Sequence, residues 1–220
     1  MLRAPSTSRA HMALAIGTMA WAGATCRCHA AEPGVLLTAF GPFAGRGVHG
    51  SATVAHRLDG TLVAGALIHI LVVPVRWGEP ERLVPAEVDR LKPVALLGLG
   101  EGLPGHAVYV ECVGHNAARA LPDADGALPA QAILDATAPS SRPARFHVDP
   151  AWFTDAAFQV TESHDAGGYR CHEMFFTALG QAVRTCGFVH LPPQGEVPDD
   201  AYCEHLVPIV RALLAHNRDP

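Results

Sequence analysis

A cysteine and a histidine, nineteen positions apart, carry the chemistry that this chain's sequence offers. The segment reads Ser163-His-Asp-Ala-Gly-Gly-Tyr-Arg-Cys171-His172, then an apolar helical pattern, then Gly187-Phe-Val-His190-Leu-Pro192. A glycine-rich turn thus delivers Cys171 to the start of a helix, and His190 falls at the end of a short apolar strand. A helix N-terminus carries partial positive charge and free N–H groups, so a thiol there ionises more readily. An imidazole alongside can take the thiol proton and later return it to a leaving amine. Together they outline a cysteine-nucleophile site, and an enzyme.

The elements that must position these groups alternate along the chain. Continuous apolar runs at Val35–Phe40, Leu67–Val73 and Val94–Leu99 have the character of strands buried on both faces. Ala52–Leu58 has helical character, and Glu79–Lys92 places Leu83, Val84, Val88 and Leu91 at helical spacing before Pro93 stops it. Ala107–Val113 alternates more and suits a strand at or near the sheet edge. Ala120–Arg145 is Pro/Ala/Asp-rich and reads as an excursion with about one turn of helix, by its composition. Phe158–Thr161 and Phe188–Leu191 are strand-like. Cys171–Thr185 sets Phe175, Ala178, Leu179 and Ala182 on one helical face, and Asp199–His216 forms a closing helix. This order predicts an α/β three-layer sandwich, a largely parallel or mixed central sheet with helices on both faces. Sites in such sheets gather at the carboxyl ends of strands. The Phe40 loop, the segment after Leu99 and His190 all fall there.

Composition narrows the partners. At 220 residues and 49% hydrophobic, the chain holds one sizeable core. A formal charge of -5 argues against nucleic acid or an anionic membrane as a partner. Residues 1–30 differ from the rest. Arg3 and Arg9 precede an apolar run from Met12 to about Ala24, and Cys28-His-Ala30 offers a small-residue exit before Ala31. That is the layout of a secretory signal peptide, too short to anchor stably in a bilayer. It leaves 31–220 as a single α/β domain, exported to the periplasm or beyond. The alternative is an over-extended gene start and a cytoplasmic protein. Cys112, Cys171, Cys186 and Cys203 then remain, with no CxxC pair. Buried thiols plus one reactive thiol fit better than disulfide staples, although Cys186 and Cys203 are candidates for pairing.

Three segments together resemble the pyroglutamyl peptidase I (pyrrolidone-carboxylate peptidase) family of cysteine peptidases. They are Leu37-Thr-Ala-Phe40-Gly-Pro-Phe43, then Gly98-Leu-Gly with Glu111-Cys-Val-Gly-His-Asn116, and lastly the Cys171 and His190 motifs. Order and spacing agree from about Val35 to His216. The resemblance implies removal of an N-terminal pyroglutamyl residue from a peptide substrate through a thioester. It also implies that Cys171 is the nucleophile, His190 the base and acid, and Glu111 the group orienting the imidazole. Phe40 and Phe43 match the aromatics that wall the lactam ring, and Arg119 matches a further site arginine once a gap is placed. No cofactor is implied, and homo-oligomers are common in the family.

The chain departs from the family's pattern around this trio. Glu101-Gly-Leu-Pro-Gly-His106 stands where Gly-Gly-Arg is usual, Cys112 in place of an arginine, His49-Gly-Ser51 in place of Asn-Pro-Ser, and His172 in place of an asparagine. The segment before Cys171 is short, so a helix at Asp149–Ala157 is expected to be trimmed. The other reading consistent with this altered shell is a non-catalytic or substrate-shifted member binding a lactam or small amide. A metal site on His164, Cys171 and His172 is set aside, because the spacing matches no usual zinc pattern.

Overall fold

The computed structural model describes Met1 and residues 34–217, apart from 44, 46, 48, 103, 106, 155 and 196–198. The proposed signal segment, beyond Met1, lies outside the described residues. Chain order is β1 (Gly34–Phe40), α1 (Gly50–Leu58), β2 (Leu62–Val63), β3 (Ala66–Val73), α2 (Glu79–Leu91), β4 (Ala95–Glu101), β5 (Ala107–Glu111), β6 (Val113–His115), β7 (Ser141–Pro143), a 3-10 turn (Pro150–Phe153), β8 (Gln159–Ser163), α3 (Arg170–Leu179), β9 (Thr185–Leu191) and α4 (Asp199–His216).

Among the described residues, seven strands pair in the order β2-β3-β1-β4-β9-β5-β8, and β6 pairs β7 separately. The sheet is mixed. β3, β1, β4 and β9 run parallel. β5 runs antiparallel to β9 and parallel to the edge strand β8. Side chains alternate across each strand, so every apolar run feeds two cores. Leu37, Ala39, Leu97 and Leu99 pack with Val54 and Leu58 of α1 and Leu206, Val210 and Leu213 of α4. On the other face Leu36, Phe40, Leu96 and Phe188 pack with Val84 of α2 and Met174, Phe175 and Ala178 of α3. Each such buried Val, Leu, Phe or Met side chain contributes about 1.5–3 kcal/mol. These are the expected three layers, with helices on both faces.

Two local expectations need correction, one is met, and one open question is settled. The helix carrying Cys171 stops at Leu179, and Ala182 lies beyond it and exposed. Its last carbonyls are taken by side chains from another segment: Arg142 donates to Phe176 O at 2.8 Å and Arg145 to Leu179 O at 3.0 Å. Such donors satisfy the orphan carbonyls of a helix end and favour its negative pole. The 120–145 excursion contains no helical turn. Asn116 and Asp123 hold it instead, bonding to the backbone of Asp135, Asp125 and Ala127. The helix at Asp149–Ala157 is trimmed as expected, to the 3-10 turn Pro150–Phe153. Cys186 and Cys203 are both free thiols, buried in the cores on opposite faces of the sheet. A disulfide cannot span a sheet layer, so that pairing is excluded. No helix among the described residues is long and apolar enough to cross a membrane.

Candidate active site

Cys171 occupies the first turn of α3, reached through Gly167 and Gly168 at φ +86° and +70°. L side chains rarely adopt that region, so the Gly-Gly pair is what allows the chain to turn abruptly into the helix. The sulfur packs down onto β4. A Cβ built on Gly100 would lie 2.6 Å from Cys171 Sγ, so only glycine admits this approach.

His190 stands near the carboxyl end of β9, its ring 5.1 Å from that of Phe188. Its Nδ1 lies 2.7 Å from Glu111 Oε1, and Cys171 is near enough to strengthen its hold on a proton. With Nδ1 occupied by the carboxylate, Nε2 is the nitrogen left for the thiol. Burial pushes the imidazole down. The bond and charge of Cys171, with those of Glu111, outweigh it and raise His190 to about 10. The ring therefore holds its proton at neutral pH. Both partners are closed off from water, Glu111 at 1% and His190 at 8% exposure. In such surroundings a charge pair interacts far more strongly than at the surface.

The other expected residues separate. Phe43 lies at the rim, its ring 6.0 Å from Tyr169. Phe40 is 1% exposed and packed in the core beneath the site. Arg119 lies over the Gly-Gly turn: its backbone N–H donates to Gly168 O at 2.8 Å, and its guanidinium, largely exposed, is 3.9 Å from Asp165. No bond joins it to the Cys171–His190–Glu111 group. Among the described residues no group of His, Cys, Asp or Glu could hold a metal ion, so His164, Cys171 and His172 do not assemble as ligands. The buried ring of His172 faces the backbone carbonyl of His115 at 2.5 Å.

Several neighbours escaped the sequence reading. Tyr169 extends the aromatic row from Phe43 to Trp77, meeting Trp77 edge-on at 5.8 Å, and its hydroxyl donates to Pro122 O at 2.8 Å. Its place two residues before Cys171 was the available clue. The altered residues around β1 prove mutually consistent. Glu101 Oε1 accepts the Gly50 N–H at 2.5 Å, a carboxylate on the N-terminus of α1. Proline at position 50 has no such N–H to give. Ser51 Oγ accepts the Phe40 N–H at 3.1 Å and pairs with His49 Nδ1 at 2.8 Å, tying the first turn of α1 to the end of β1.

The family model for pyroglutamyl peptidase matches residues 34–208. A pyrrolidone-carboxylate peptidase of Chromobacterium violaceum is 30% identical over 162 residues, covering 72% of this chain and 77% of that protein. Human pyroglutamyl-peptidase 1 is 28% identical, with 84% and 90% covered. The crystal structure of Bacillus amyloliquefaciens pyroglutamyl peptidase I superposes with a TM-score of 0.74 at 22% identity, over 86% of this chain and all of that one, which shows a shared fold. With the model matched over most of its length, the chain belongs to the pyroglutamyl peptidase family.

Proposed function

We propose that this protein hydrolyses the amide bond after an N-terminal pyroglutamyl residue of a peptide, with Cys171 as nucleophile, His190 as acid and base, and Glu111 as the orienting carboxylate. The observation that carries this reading is the His190–Glu111 pair, closed from solvent at its Glu111 end, with Cys171 near enough to hold the imidazole proton in place. A lactam-binding scaffold without turnover has no use for a buried carboxylate paired to an imidazole on a thiol, and the names of the relatives do not favour it.

The Cys171 thiolate attacks the pyroglutamyl carbonyl carbon. Amide N–H groups in the first turn of α3 lack intrahelical partners and are the natural donors to the developing oxyanion. His190 gives its proton to the leaving amine as the C–N bond breaks, leaving a thioester. It then takes a proton from water, whose oxygen attacks the thioester carbon and expels the thiolate with 5-oxoproline. Phe43 and Tyr169 present flat apolar surface beside the nucleophile for the lactam ring. Arg119, exposed above the Gly-Gly turn, is assigned at most a contact with the peptide at the rim.

The deciding assay measures release of a chromophore from a pyroglutamyl amide, with and without prior iodoacetamide. Turnover abolished by alkylation supports the reading. No turnover by the folded wild-type protein removes it in favour of the binding alternative.

A further inference from the structure

Next to the nucleophile lies a residue whose placement is unusual for its type. Arg170 is 1% exposed, although arginine is rarely buried without a specific partner. It pairs with Glu173 one turn along α3, donates to the backbone carbonyl of Arg76, and lies over the Trp77 ring at 4.1 Å. Glu173, equally buried, accepts the Gly78 N–H at 2.8 Å. Asp123 accepts the Trp77 N–H at 3.0 Å. Two charged side chains of the first turn of α3 thus grip three consecutive residues, Arg76 to Gly78, at the entrance to α2.

Burying an ion pair is not an efficient route to stability. Apolar residues of similar volume commonly do as well or better. A positional role explains the arrangement. The N-cap of α3 is Tyr169, which makes no side-chain capping bond; its ring joins the row with Phe43 and Trp77. The turn carrying Cys171 therefore lacks the lock that a Ser or Asp cap provides. It must nevertheless hold the sulfur against Gly100 and in reach of His190, where a shift of an ångström is costly.

We propose that Arg170, coupled to Glu173, is a positioning residue that sets Cys171 over Gly100 and beside His190 by clamping the first turn of α3 to the Arg76–Gly78 loop. The inference rests on Cys171 being the nucleophile. Arg170 does not touch substrate. The charged or titratable groups facing it are Glu173, Glu81, Asp123, Tyr169 and Cys171, so it also fixes one positive charge on the thiol's flank. Burial lowers its guanidinium to about 10, which leaves it charged at neutral pH.

The test compares wild type with Arg170→Met/Glu173→Met, which removes the grip but leaves no unpaired buried charge. Three quantities are read: thermal midpoint, kcat and KM on a pyroglutamyl amide, and the pH profile of Cys171 alkylation followed by mass spectrometry. The expected result is an unchanged or higher midpoint, kcat lower by about ten- to a hundredfold with KM little altered, and alkylation at neutral pH slowed with its profile moved to higher pH. A folded double variant with wild-type kcat and an unmoved profile overturns the proposal. If that variant does not fold, Arg170→Lys decides. Its ammonium still neutralises Glu173, but its shorter reach cannot also hold the Arg76 carbonyl and stack on Trp77. A loss of kcat and a moved profile in the Lys variant support the clamp, and wild-type values for both overturn it. Alkylation needs no turnover, so the clamp and the proposed activity fail separately.

Discussion

Glu111 and His190 meet across two strands that run in opposite directions. β5 is antiparallel to β9, with Glu111 directly opposite Phe188 and Tyr109 opposite His190. Glu111 and His190 are therefore diagonal neighbours on one face of the sheet, a separation that side chains of this length bridge. Their 2.7 Å contact leaves the other ring nitrogen to the thiol. The reversed strand is the feature that brings a carboxylate behind the imidazole.

Glu111→Gln keeps the shape of that contact but offers an amide able to donate to His190. An inverted tautomer would leave the thiol without its base. A fall in kcat of about a thousandfold or more is expected, on the scale of the corresponding loss in other triads. Steady-state kinetics near neutral pH measure it. A loss of less than about threefold would show that the carboxylate does not orient the ring.

Cys171→Ala should remove turnover by several orders of magnitude, as loss of a nucleophile does. In the wild type, brief iodoacetamide treatment should modify Cys171 ahead of Cys112, Cys186 and Cys203. Burial pushes the Cys186 thiol up to about 12 and raises Cys112 as well, and Cys203 is enclosed in the opposite core. Peptide mapping reads the order of labelling. First labelling at any other cysteine would contradict it.

The raised His190 sets a direction for stability against pH. Its proton is bound more tightly in the folded chain than at the ordinary value of 6.5. The contribution is therefore complete below about 6.5 and is lost as pH rises towards about 10. Thermal midpoints should fall across that window, and less so in Glu111→Gln. Cys171 and His190, acting as a thiolate–imidazolium pair, should give a bell-shaped rate profile whose limbs belong to the pair and to neither residue alone. An imidazole resonance titrating near its ordinary value would count against the ion pair.

Gly100→Ala places a methyl group 2.6 Å from Cys171 Sγ and 3.0 Å from Phe188 Cζ. The sulfur must move. The variant should still fold, at a cost of about 1–3 kcal/mol for overpacking. Its kcat should fall by about a hundredfold, the scale of an ångström-level misplacement. Unfolding curves and kinetics on one preparation separate the two effects, and an unchanged kcat would refute the close approach.

Export is the prediction that stands on sequence alone. We propose that residues 1–30 direct the chain out of the cytoplasm and are removed, from Arg3, Arg9, the apolar run and the exit at Ala30. N-terminal sequencing of the native protein should find a start at or near Ala31 in the periplasmic or secreted fraction. A cytoplasmic chain beginning at a methionine would end the idea.

Much of this protein is written locally. The apolar runs at Val35–Phe40 and Val94–Leu99 became central strands because they must bury both faces, whatever surrounds them. The Gly167-Gly168 turn and the apolar positions after Cys171 specify a helix entry over a span of a few residues. Cys171 and His190 were legible for that reason, and Glu111 only through its likeness to a family motif. What depended on distant partners was not legible. No local pattern tells that β5 reverses against β9, that α3 ends where Arg142 and Arg145 reach its carbonyls, or that Cys186 and Cys203 face away from each other. Arg170 shows the limit most clearly. In sequence it is one more charged residue, of the kind that ordinarily stays in water. Only the fold brings up the carbonyl of Arg76, ninety-four positions away, and the ring of Trp77 to receive it. Periodicity and turn chemistry act over a few residues and decide the elements. The partners of a buried charge are decided by packing, which the chain acquires only once those elements have met.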